Sequence, residues 1–122
     1  MSVKLEGVKP ELVEKVGRLL DAMAILGHPM RVTDGNRTVE QQQALYAQGR
    51  TKPGKIVTYA DGVVKKSNHQ GGRAVDCCFD DPAPYAEKHP WALFGLAAEA
   101  LGLKWGGRFQ KLVDRPHVEL ED

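Results

Sequence analysis

The sequence predicts an α+β fold in which about three helices pack on a small, mainly antiparallel sheet. Three observations predict it. An apolar stripe at helical spacing fills residues 10–26, and a second follows Pro90. Between and after them, short strand-like runs are punctuated by Gly and Pro. At 122 residues with 42% apolar content, the chain suits one domain around one core, so residues 1–122 are read as a single domain.

Each element has its own signal. From Pro10 to Leu26 the apolar residues Leu12, Val13, Val16, Leu19, Leu20, Met23 and Ala24 trace one face of a helix, which Gly27 stops. Met30 to Asp34 reads as a short strand ending in a turn at Gly35. Thr38 and Gln41 have capping-box spacing, which places a second helix from about Val39 to Ala47, ended by Gly49. Asp61-Gly62, between Ile56–Tyr59 and Val63-Val64, is a hairpin signal. Arg73 to Phe79 alternates as a strand, with Ala74, Asp76 and Cys78 on one face and Val75, Cys77 and Phe79 on the other. Pro90 opens a third helix, Trp91 to Leu101, expected to bury Leu93, Phe94, Leu96, Ala97 and Leu101 before Gly102 caps it. Leu103–Trp105 and His117–Leu120 complete the strands, with Gly106-Gly107 a sharp turn between them.

Composition excludes several classes of function. With 17 basic and 16 acidic residues the formal charge is +1, which argues against nucleic-acid binding by bulk charge and against a polybasic membrane anchor. No stretch approaches the roughly 20 apolar residues that cross a bilayer. The first ten residues carry Lys4, Glu6 and Lys9 and no apolar run, so no signal peptide is read and the product is expected to remain in the cytoplasm. Adjacent Cys77 and Cys78 suit neither a mutual disulfide nor a zinc knuckle, and are read as reduced, packed thiols.

Four residues carry candidate chemistry: His69, Asp76, Asp114 and His117. Two histidine nitrogens and one carboxylate oxygen form a usual catalytic zinc set with an open position for water. Zinc brings that water's pKa down to about 7, and a second carboxylate nearby serves as the proton carrier. Singly, each residue has a plainer reading. A lone histidine is usually a satisfied surface or core residue, and Asp114 before Arg115-Pro116 suits the start of a turn. Asp76 is the most informative, because Asp is depleted inside strands and an inward carboxylate there needs a cation. His28 and His89 flank prolines and read as exposed, Trp105 as a core aromatic, and Tyr46 as packing on the second helix. Glu119 reads equally as an exposed edge residue or as support for a histidine ligand.

Ser67-Asn68-His69-Gln70-Gly71-Gly72-Arg73-Ala74-Val75-Asp76 fits S-x-H-x-x-G-x-A-x-D at every fixed position. Asp114-Arg115-Pro116-His117 fits D/E-x-x-H, preceded by Trp105-Gly106-Gly107. Gly35-Asn36-Arg37-Thr38, followed by Glu40-Gln41 and Leu45-Tyr46, is similar to G-[aromatic]-R-[ST]-x-x-x-Q…LY. Together these resemble the zinc D-alanyl-D-alanine carboxypeptidase family, which includes VanY- and VanX-like enzymes and the phage and bacterial L-alanyl-D-glutamate endopeptidases. That family shares its fold with the Hedgehog signalling domain. The match spans about residues 30 to 120.

The resemblance implies one zinc ion held by His69, Asp76 and His117, with Asp114 as general base and acid. It implies that Arg37 meets the scissile carbonyl oxygen and that Ser67 is a nearby hydrogen-bonding, substrate-side residue. Two positions depart from the pattern: Asn36 replaces an aromatic, and the base is Asp where the carboxypeptidases more often have Glu. Asp is what the endopeptidase branch tends to use. The expected function is therefore hydrolysis of bacterial peptidoglycan at the L-alanyl-D-glutamate bond by a monomeric, phage-type endolysin. It would have no separate cell-wall-binding domain and would act on the wall after release from the cytoplasm. The alternatives are a D,D-carboxypeptidase or dipeptidase, and a catalytically silent, zinc-stabilised binding module.

Overall fold

A computed structural model describes residues 5–63 and 68–121. Within them lie helices α1 (Pro10–Ile25), α2 (Val39–Ala47) and α3 (Trp91–Ala100). The strands are β1 (Met30–Asp34), β2 (Ala74–Phe79), β3 (Leu103–Trp105) and β4 (His117–Leu120). The strands form one sheet in the order β1-β2-β4-β3, every pair antiparallel. The expected α+β architecture is thus the observed one.

Alternation along β2 divides the sheet's two faces. Val75, Cys77 and Phe79 join Val118, Leu120, Leu103 and Trp105 in the core, against Leu12, Val16, Leu19 and Met23 of α1 and Phe94 and Ala98 of α3. Asp76, His117 and Glu119, out of phase with those residues, belong to the opposite face. Burying a Leu, Val, Phe or Met side chain contributes about 1.5–3 kcal/mol, so the helices hold one face shut while the other carries polar groups. Both cysteines are free and buried, as expected; Cys77 is part of the core.

Three expectations fail, each for a physical reason. Residues 56–59 form no strand, and the expected hairpin partner Val64 lies outside the described residues. Side chains bond this segment and its end instead: Arg50 donates to the Thr58 carbonyl at 3.1 Å, and the Gln42 amide to the Thr58 hydroxyl at 3.2 Å and to the carbonyl of neighbouring Ala60 at 2.8 Å. Leu96 is 57% exposed, because α3 turns Trp91, Phe94, Gly95 and Ala98 inward. Gly95 is required there, since a Cβ would overlap the Trp105 indole. His89 is not a free surface residue: its ring stacks on Phe79 at 4.4 Å and its Nε2 donates to the Ala83 carbonyl at 2.8 Å.

Phe94 is fully buried beneath the sheet, on the side away from Asp76. Phe94→Ala should therefore cost about 3–5 kcal/mol in denaturant unfolding while leaving metal uptake by the folded fraction unchanged. A loss of metal uptake without a loss of stability would contradict this division of faces.

Candidate active site

His69 lies in a 3₁₀ turn, Asn68–Gly71, that ends at Gly72, whose φ of +70° reverses the chain into β2. Its Nδ1 is 2.8 Å from the Gly35 carbonyl. A carbonyl only accepts, so Nδ1 carries the proton and Nε2 turns a lone pair inward. Asp76 and His117 are register partners across β2 and β4, which places their side chains together. His117 Nε2 donates to Glu119 Oε1 at 2.7 Å, leaving His117 Nδ1 also turned inward.

Three electron-rich atoms consequently converge. His69 Nε2 is 3.2 Å from His117 Nδ1, and Asp76 Oδ1 lies 3.5 and 3.4 Å from them. Asp76 Oδ1 is buried without a hydrogen-bond partner. Lone pairs at such distances repel unless a cation sits among them, and an N₂O set fits a divalent metal of the zinc type. This His–Asp–His group is able to hold a metal ion.

The electrostatics agree. Without a metal, a proton on the His117 ring takes the cation's place: burial alone would raise the Asp76 carboxyl, but attraction to that ring, together with His69, outweighs it and holds the group well below the usual carboxylate range. Burial likewise works against a charged His117, yet Asp76 and Glu119 push its pKa up to about 9. Asp114, whose Oδ2 is 3.8 Å from His117 Nδ1, is raised by burial and by the Asp76 charge.

Arg37 comes from the turn after β1. Thr33 is an extra residue between the register pairs Val32↔Cys77 and Asp34↔Asp76, a bulge that carries Asp34 across to the site. Asp34 Oδ2 accepts from Arg37 at 2.6 Å, Gln42 Oε1 at 2.8 Å, and the Arg37 backbone N–H donates to the His69 carbonyl at 2.8 Å. Arg37, His69, Asp76, Asp114 and His117 all line one cleft of about 640 Å³. The Asp114–His117 segment is fixed by Gly106, whose carbonyl accepts the Asp114 N–H at 3.0 Å. A Cβ on Gly106 would overlap the Asp114 carbonyl oxygen. Ser67 lies outside the described residues.

Of two supporting residues, Gln42 was hidden in the sequence, and Glu119 stood equally between support for a histidine ligand and an exposed edge residue, of which burial decides for the first. Gln42 is fully buried, but it sits in a run of three glutamines that singles none out. Glu119 is 7% exposed, because β4 is an inner strand and not an edge. Its spacing of two from His117, on the same strand face, was the available signal.

Comparison with known proteins agrees with this geometry. Residues 61–120 match the family model described as D-alanyl-D-alanine carboxypeptidase. The peptidoglycan L-alanyl-D-glutamate endopeptidase CwlK of Bacillus subtilis is 33% identical, across 91% of this chain and 72% of the relative. The chain belongs to this peptidase family. Among solved family folds, the L-Ala D-Glu endopeptidase ChiX of Serratia marcescens superposes with a TM-score of 0.70 at 25% identity, covering 97% of this chain and 84% of ChiX. The vancomycin resistance D,D-pentapeptidase VanY, in complex with Zn(II), gives 0.67 at 18% identity, covering 93% and 72%.

The histidine protonation makes a signed prediction for this family member. In the metal-free protein the stabilising proton on His117 is present below its ordinary pKa of 6.5 and is lost as pH rises through about 9. A metal must displace that proton, so metal affinity measured by chelator competition should rise across the same window and level off above it. Glu119→Gln should weaken metal binding about 10–100-fold, because the neutral amide orients His117 without its charge. A pH-independent affinity, unaltered by Glu119→Gln, would contradict the arrangement.

Proposed function

We propose that this chain is a zinc metallopeptidase that hydrolyses the L-alanyl-D-glutamate bond of peptidoglycan stem peptides, with one zinc ion per chain. The observation that carries the reading is the orphaned Asp76 Oδ1 between two inward-turned histidine nitrogens, on a cleft that also holds Asp114 and Arg37. His69, Asp76 and His117 would hold the metal, and when bound it supplies a Lewis acid and acidifies water.

The chain's own residues account for the remaining chemistry. Asp114, raised by burial, takes a proton from the attacking water and delivers it to the departing amine. Arg37, oriented by Asp34 and Gln42, faces the carbonyl oxygen as negative charge develops on it. Leu45, Ile56, Phe109 and Val113 give the cleft its apolar lining beside these charges. The bond assignment is supported by the names of CwlK and ChiX and by Asp at the position of the base. Similarity of the motifs to endolysins supports a lysin of the phage type.

Mass analysis of muropeptides after digestion tests the bond. A new amino-terminal D-glutamate is expected; release of D-alanine alone would instead indicate a carboxypeptidase. Asp114→Asn should keep metal and fold while losing about 10²–10⁴-fold in kcat. A variant within a few-fold of the native rate would remove Asp114 from the mechanism.

A further inference from the structure

We propose that Lys111 is a specificity-determining residue whose ammonium pairs with a free carboxylate on the substrate residue at the amine side of the scissile bond. This rests on the peptidase reading above and extends it to what the cleft selects.

The first observation is the charge of the cleft. Four carboxylates line it: Asp34 is paired with Arg37, Glu119 with His117, Asp76 belongs to the metal-holding set, and Asp114 is the base, so each already has its partner or role. Its two permanently cationic side chains are Arg37 and Lys111. Arg37, oriented by Asp34 at 2.6 Å and Gln42 at 2.8 Å, is taken up by the scissile carbonyl oxygen in the mechanism above. Lys111 is exposed and, among the described residues, makes no ion pair or hydrogen bond from its side chain.

The second observation is where Lys111 stands relative to Asp114. Asp114 hands its proton to the leaving amine, so the amine nitrogen must come to Asp114. The substrate residue carrying that nitrogen then lies along the segment 109–114. Lys111 lines the cleft three positions before the base on that segment. The segment has a defined path: the Phe109 and Asp114 N–H groups both donate to the Gly106 carbonyl, at 3.2 and 3.0 Å. Leu112, between Lys111 and Asp114, has φ of 47°, a region that L side chains rarely adopt.

The chemistry of the leaving residue completes the argument. In an α-amino acid the amine nitrogen and the α-carboxyl share one carbon, so a group that meets the nitrogen at Asp114 brings the carboxyl to the same wall. D-glutamate has two carboxyl groups and needs only one to continue the chain. The other is free, as a carboxylate or as its amide, and Lys111 distinguishes the two by charge.

The test uses the zinc-loaded full chain and two stem peptides that differ only in this group, carboxylate against carboxamide. The native enzyme is expected to favour the carboxylate by about two- to fivefold in kcat/KM, the range of an exposed ion pair. Lys111→Ala should bring the carboxylate peptide down to the level of the carboxamide without changing the latter, and Lys111→Arg should keep the preference. The preference should also shrink with added salt. An unchanged melting temperature will show that Lys111→Ala is folded. A native enzyme that cleaves both peptides, with a ratio that Lys111→Ala leaves unaltered, overturns this inference alone. A native enzyme that cleaves neither overturns the peptidase reading and this inference with it.

Discussion

A buried carboxylate oxygen without a hydrogen-bond partner, Oδ1 of Asp76, is the constraint on which the site depends. Two histidine nitrogens stand 3.4 and 3.5 Å from it with lone pairs turned the same way. Such a group is stable only around positive charge, and the fold is arranged to keep it closed. The β2–β4 register sets Asp76 opposite His117, the Gly35 carbonyl fixes the His69 ring, and Glu119 fixes the His117 ring. Removing one member of a buried charged pair costs about 3–5 kcal/mol, so these partners constrain one another as much as they constrain a metal.

Beyond the three donors, the cleft is organised by polar side chains where a sheet would have used backbone. Gln42 reaches Arg37, Thr58 and Ala60 at once, tying the wall at 56–60 to the guanidinium. The bulge at Thr33 brings Asp34 to the same guanidinium. On the opposite wall, Trp105 packs in the core and donates its indole N–H to the Arg115 carbonyl at 2.8 Å, so the segment bearing Asp114 is anchored from the hydrophobic side. The apolar and chemical halves of the molecule are therefore coupled through Trp105 and Gly106.

Elements whose order is local were legible in the sequence. The α1 stripe, the Thr38–Gln41 capping box and the alternation of β2 each express one periodicity or one cap, and each stands where that signal placed it. Asp76 was legible for the same reason, as an acid inside a strand. What depends on tertiary neighbours was not. Residues 56–59 have strand composition, but Arg50 takes the Thr58 carbonyl, Gln42 takes the Thr58 hydroxyl and the next carbonyl at Ala60, and residues 56–59 form no strand. Leu96 fits a helical stripe, yet Gly95 and the Trp105 ring set which face of α3 is buried. The burial of Glu119 follows from strand order, which no local pattern encodes.

The central claim is the identity of the three atoms that surround the cation, and X-ray absorption at the zinc edge of the zinc-loaded protein tests it directly. A shell of nitrogen and oxygen only is expected, at about 2.0–2.2 Å, with two imidazole signatures. That shell should lose an imidazole in His117→Ala and remain unaltered when Cys77 and Cys78 are both replaced by Ala. A sulfur scatterer at about 2.3 Å, or an intact two-imidazole shell in His117→Ala, would contradict it.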